Sequence, residues 1–169
     1  MRQAGNKDIE SKMLGNPIFM EKAIALATEN VTSGRGGPFG AVIVRDGEIF
    51  ATGTNLVTAT NDPTAHGEIV AIRNACVVLG SFQLSGCHIY TSCEPCPMCL
   101  AAIYWARCDA IFYASSAADA AAAGFDDAFL YEELKRPIGQ RKIPTINLLQ
   151  EKAISSFDAW RANASRIDY

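Results

Sequence analysis

The chain is poor in histidine and tryptophan, with two of each among 169 residues, and it has no excess of positive charge: 15 Lys and Arg stand against 18 Asp and Glu, a formal net charge of −3. Without a cationic surplus, the backbone-dominated grip on nucleic acid lacks its usual source. A small-molecule partner is expected instead. No apolar run approaches the ~20 residues needed to cross a bilayer. The opening "MRQAGNKDIESKML" also lacks the continuous apolar core of a secretory leader. These absences predict a cytoplasmic protein that keeps off membranes. Repeats are missing too, and the only biased tract is the alanine run Ala120 to Ala123. A hydrophobic content of 49% over this length suits one domain with a substantial core, read here as residues 16–169 behind a loose polar arm over residues 1–15.

The spacing of apolar residues predicts the elements. Phe19, Ala23, Ile24, Ala27 and Val31 follow a helical period after Pro17, and "TSGRGGP" stops that helix. "FGAVIVRDGEIFATGT" reads as two strands joined at Asp46-Gly47, a strong hairpin signal. A helix is expected from about Thr64 to Leu79, ended by Gly80. "CHIYTS" predicts a strand, "CPMCLAAIYWARC" a helix, "DAIFYAS" a strand and "IPTINLL" a fifth strand, and "SSFDAWRANASRI" a closing helix. Alternation of this kind predicts an α/β domain: three α/β/α layers, with helices on both faces of a mixed five-stranded sheet.

Cysteine is not scarce. Three of the six sit in "TSCEPCPMC", Thr91 to Cys99. In a reducing compartment, thiols this close are metal ligands or catalytic groups more often than disulfides. An iron–sulfur run would need another near neighbour followed by proline, and the next cysteine is Cys108. Cys96 and Cys99 fall in the first turn of their expected helix, where free N–H groups and the helix dipole favour thiolate. His66 opens the preceding helix, two residues before Glu68. If the two helix starts face each other, His66, Cys96 and Cys99 supply three ligands and leave a fourth position open, the pattern of a catalytic zinc. Each half is weak alone, because C-x-x-C is common and His-x-Glu on a helix is usually an ordinary surface pair. Together they reproduce the zinc-deaminase signature, H-x-E followed by P-C-x-x-C, as "HGE" at 66–68 and "PCPMC" at 95–99.

In these motifs, and in "GGPFGAVIV", "NDPTAH", "AIRNAC", "AGFDDAF" and "AWRANASRIDY", the sequence resembles the cytidine deaminase superfamily. Within it, "GFDD" and the terminal tyrosine are most similar to the bacterial zinc-type guanine deaminases. The resemblance covers nearly everything after the N-terminal arm. It implies one Zn2+ per chain on His66, Cys96 and Cys99, with Glu68 as proton shuttle. Substrate contacts are implied at Asn55, Trp105 and Asp127, and further at Phe39, Asp126 and Tyr169. It also implies a free purine as substrate, guanine going to xanthine and ammonia as a step of purine catabolism. A homodimer is implied, in which the helix and tail 153–169 cover an active site of their own or of the neighbouring subunit. One departure is Gly67, where the family usually has alanine.

The residues support such chemistry without the family name. Zinc on two thiolates and an imidazole acidifies water, Glu68 can move the proton, Phe39 and Trp105 can stack on a planar base, and Asn55 and Asp127 can meet its edge. Plainer roles stand beside these: Phe39 as core, Asn55 as a turn cap, Asp126 and Asp127 as a solvated acidic pair or helix cap, His88 as structural, and the other cysteines as small buried thiols. "GRGGPFG" is no phosphate loop, since it lacks the third glycine and precedes a strand. Two rival functions remain. A tRNA adenosine deaminase shares the metal motif, but the seven Lys/Arg and seven Asp/Glu from Asp126 to Tyr169 balance. A zinc-stabilised binding module would need no Glu68 beside an open position.

Overall fold

The computed structural model describes residues 15–169. The arm expected over residues 1–15 lies, except for Gly15, outside the described residues. The chain divides into two compact units, one ending at Phe129 and the other running from Leu130 to Tyr169.

In the first unit, α1 (Pro17–Thr32) starts with proline in its first turn and with the Asn16 side chain accepting from the Ile18 N–H at 3.0 Å. This pairing satisfies one of the donors left free at a helix start. The hairpin is β1 (Gly40–Arg45) and β2 (Glu48–Thr54). Its turn places Asp46 at φ 52 and Gly47 at φ 79, the left-handed pair that a two-residue hairpin requires. A one-turn helix, α2 (Val57–Thr60), leads to α3 (Gly67–Leu79), which Gly80 ends in the left-handed conformation. Then follow β3 (Cys87–Cys93), α4 (Pro97–Trp105), β4 (Ala110–Ser115) and α5 (Ala117–Ala122), the last started by a reciprocal Ser116–Asp119 capping box.

The strands lie in the order β2-β1-β3-β4, with the first two pairings antiparallel and β3–β4 parallel. Alternation along β1 sorts the two faces. Val42 and Val44 join Tyr90 and, with Phe112 beside them, pack on Ala23 of α1. Ala41 and Ile43 join Ile89, Ala71 and Ala75 of α3, and Ile103 of α4. One helix therefore covers one face and two cover the other, which gives three layers. α3 comes very close to the sheet at Gly53, where a Cβ would meet the Ala71 nitrogen and the Gly67 carbonyl at 2.3 Å. Only glycine allows that approach. The registers Gly40↔Thr54, Ala41↔Thr91 and Cys93↔Ser115 bring the start of β1 and the ends of β2, β3 and β4 to one end of the sheet.

α6 (Ala128–Lys135) crosses the boundary between the units. The second unit then holds a 3-10 turn (Ile138–Gln140) and α7 (Gln150–Ala162). The closing helix starts earlier than the sequence suggests. The sheet has four strands among the described residues, not the expected five. Over 143–149 the chain is irregular: Pro144 has no N–H for a ladder, Leu149 is left-handed at φ 57, and the apolar side chains of Ile143, Ile146 and Leu148 are exposed. An apolar run becomes a strand only where it pairs with another, and among the described residues 143–149 join no ladder.

Candidate active site and metal centre

The end of the sheet where these chain segments meet carries a cavity of about 770 Å3. His66 is the N-cap of α3 and Cys96 the N-cap of α4, and neither side chain caps its own helix. Both instead turn toward the same point. His66 Nδ1 lies 3.6 Å from Cys96 Sγ and 3.5 Å from Cys99 Sγ, and a ligand atom from each residue falls within 4.8 Å of the other two. A tetrahedral zinc with Zn–S near 2.3 Å and Zn–N near 2.1 Å would hold its nitrogen about 3.6 Å from each sulfur. The observed spacings match, and two sulfurs with one imidazole are a donor set that favours zinc over hard cations. His66, Cys96 and Cys99 therefore fit the ion, and Nδ1 is the ring nitrogen that would bind it.

Electrostatics point the same way. The Cys96 thiol is drawn down to about 4, first by a hydrogen bond with Cys99 and then, against its burial, by the His66 ring. The same hydrogen bond to Cys96 raises His66. Cys99 is pushed up by its neighbour Cys96 and by burial. Two thiols this close resist ionising together, and a cation between them removes the conflict.

Glu68, in the first turn of α3, is buried beside the triad and outside it. Burial is the main cause that raises its carboxyl above the usual range, which suits a group that must both accept and return a proton. The buried Thr91 hydroxyl stands 3.4 Å from its Oε1 and donates mainly to the Cys93 carbonyl at 2.6 Å. Gly67, between His66 and Glu68, sits against the backbone of Phe39: a Cβ there would lie 3.2 Å from the Phe39 carbonyl oxygen.

Phe39, Asn55, His66, Glu68, Asp126 and Asp127 all line the cavity. The Phe39 ring meets Phe125 edge to face at 5.0 Å. Asn55 Oδ1 accepts from the Val57 N–H at 3.3 Å, and among the described residues its amino group is left to donate to a ligand. Asp126 accepts from the Ala128 N–H at 2.9 Å at the start of α6. Asp127 is raised by burial and then by the charge of Cys96, and it lines the same cavity as His66 and Cys96. Trp105 is not among the lining residues. Six residues after Cys99 at 100° per residue, it projects from another side of α4, exposed, with the Arg107 guanidinium 5.6 Å from its ring. Tyr169 belongs to the second unit, where its ring meets Trp160 edge to face at 6.3 Å.

Phe125 and Glu94 are among the lining residues that carried no assignment from the sequence. Phe125 completes the aromatic wall. Glu94, between the first two cysteines of the motif, accepts from the Ala117 N–H at 3.1 Å, while its own N–H reaches the Ser115 carbonyl at 2.8 Å. With the Cys93 thiol on the Ser116 carbonyl at 3.6 Å, these bonds join the ligand loop to the start of α5. An acidic residue two before a ligand cysteine was the available signal.

Comparison with known proteins agrees with this geometry. Residues 16–115 match the model of the cytidine and deoxycytidylate deaminase zinc-binding region. A guanine deaminase from Bacillus subtilis is 54% identical over 156 residues, 92% of this chain and 100% of that protein. The X-ray structure of guanine deaminase from Bacillus subtilis superposes with a TM-score of 0.89 at 54% identity, covering 92% of this chain and 99% of the other. A tRNA-specific adenosine deaminase from Aquifex aeolicus is 36% identical over 102 residues, 60% of this chain and 67% of its own length. With its ligand triad, its buried glutamate and more than half its length within that zinc-binding region, the chain belongs to the cytidine and deoxycytidylate deaminase family.

Proposed function

We propose that the chain is a zinc-dependent hydrolase that converts free guanine and water to xanthine and ammonia. The observation that carries this reading is the buried Glu68 beside a three-ligand triad, in a cavity with aromatic side chains and, among the described residues, no Lys or Arg in its lining. A lining without Lys or Arg among the described residues, but with Glu68, Glu94, Asp126 and Asp127, disfavours phosphate. Nucleotides and nucleic-acid backbones suit it poorly, whereas a neutral base suits it well. The likeness to the Bacillus subtilis guanine deaminase supports guanine among the bases.

His66, Cys96 and Cys99 would hold the zinc, which would supply the Lewis acidity that makes water a nucleophile near neutral pH. The remaining work falls to the chain's own groups. Phe39 and Phe125 offer the base a wall, Asn55 donates to an acceptor on its edge, and Asp127 accepts from its N–H groups. Glu68 takes one proton from the attacking water and passes it to the ring nitrogen beside C2, then takes the second from the new C2 hydroxyl and gives it to the departing amine, so that the C–N bond breaks as the C=O bond forms. The charge count closes without a redox partner.

Trp105 and Tyr169 enter this reading as further purine contacts, made in a homodimer whose segment 153–169 covers an active site. The apolar side chains that the second unit leaves exposed support such a cover. Thiolate ligands and six free cysteines suit the reducing cytoplasm, and among the described residues no helix is long and apolar enough to cross a membrane.

The test is ammonia release from a panel of guanine, guanosine, other aminopurines, cytosine and aminotriazines, together with metal analysis of the purified chain. Guanine should be the fastest substrate and zinc should approach one per chain. Faster adenosine-to-inosine conversion in tRNA would favour the reading suggested by the tRNA-deaminase relative instead.

A further inference from the structure

The buried face of α1 reads Ala23, Ala27 and Asn30, spaced four and three apart. At the third place, where a core helix would carry an aliphatic residue, stands an asparagine that is 0% exposed. Its Nδ2 donates to two carbonyls on two different segments: Gly37 at 2.9 Å and Asn55 at 2.8 Å. Its Oδ1 is buried and makes no hydrogen bond among the described residues. An unsatisfied buried acceptor is destabilising, and what the carboxamide supplies in return is its two donated bonds.

Both carbonyls belong to residues lining the cavity. The two segments are also tied directly, by the Asn55 N–H on the Phe39 carbonyl at 2.9 Å. Gly36 presses against the clamp so closely that a Cβ would stand 2.2 Å from the Asn55 carbonyl oxygen and 3.0 Å from Asn30 Nδ2. Holding the Asn55 carbonyl fixes the backbone from which the Asn55 side chain reaches the cavity. Holding Gly37 fixes the approach to Phe39.

We propose that Asn30 is a positioning residue for purine recognition: its buried carboxamide, in clamping Gly37 and Asn55, sets the direction in which Asn55 donates to the base. Asn30 itself touches no substrate. The inference rests on the proposed purine reading and adds to it the residue that aims the Asn55 donor.

The test is a double-mutant cycle on the full-length zinc-loaded enzyme with guanine: Asn30→Ala, Asn55→Ala and the pair. Asn30→Ala should lower kcat/KM by roughly 10- to 100-fold, mostly through KM, with zinc still near one per chain. In the Asn55→Ala background the same change should cost less than about 3-fold, because the group it aims is gone. Equal losses in both backgrounds, an unchanged KM, or loss of zinc would each overturn the proposal and leave Asn30 a structural residue. If Asn30→Ala gives no soluble protein, the cycle is run with Asn30→Ser, which keeps one donor and should show the same dependence on Asn55 at smaller size. A parent enzyme that turns over another aminopurine and not guanine would overturn the substrate reading alone, and the cycle would then be read with that base.

Discussion

The two units treat their apolar side chains in opposite ways. Up to Phe129, Ile43 and Ile89 are 0% exposed and Ile103 is 1% exposed. From Leu130 onward no residue is buried, and Ile143, Ile146 and Leu148 are 77%, 82% and 80% exposed. A unit with a core can hold ligand atoms at fixed spacings, because close-packed neighbours resist displacement. A unit with apolar residues but no core of its own can act only through a surface that covers it. The chemistry should therefore depend on the first unit, with the second adjusting it.

The sharpest check on that division is Glu68→Gln, which keeps size and hydrogen bonding but cannot carry the proton. Turnover should fall at least ~10²-fold with zinc retained. If turnover stays within a few-fold of the parent, the acid lies elsewhere and the first unit loses its central role. Next in size, Ile89→Ala should lower unfolding free energy by about 2–5 kcal/mol in denaturant titrations, as expected for a fully buried site.

Smaller effects should come from the second unit. Deleting Ile167 to Tyr169 should leave secondary structure and zinc content nearly intact but lower guanine kcat/KM by roughly 10- to 100-fold, the scale of a lost positioning contact. Full activity in the truncated enzyme would remove the tail from the site. Smallest of all, Ile146→Ala should change stability by no more than about 0.5 kcal/mol, the usual limit at an exposed position. A loss above ~2 kcal/mol that grows as protein concentration falls would show instead that this residue is covered by a second copy.

What the sequence disclosed follows the same division. The triad was legible because each ligand sits at a helix start, where capping and proline signals are local, and because H-x-E and C-x-x-C fix which side chains share a turn. The hairpin was legible from Asp46-Gly47, whose left-handed angles only a few residue pairs tolerate. The supposed fifth strand was misread because an apolar run says nothing about whether an edge will be there to pair with it. The work of Asn30 and Glu94 was hidden for a related reason: Asn30 reaches Asn55, 25 residues on, and Glu94 reaches Ala117, 23 residues on, and spacing rules do not reach that far. The choice of Nδ1 on His66 likewise depends on which way a ring turns, and only the packed structure decides it.

The two N-caps without capping bonds, His66 and Cys96, carry one more consequence. Serine or aspartate at either place would close a helix end and add about 1 kcal/mol of stability. Each such exchange would also remove a metal ligand. A redesign that scored these positions for stability alone would accept both substitutions and produce a sturdier, inactive protein. Positions 66 and 96 are thus where robustness and catalysis compete in this chain, and unaltered helix starts there are the mark by which a working copy can be told from a merely well-folded one.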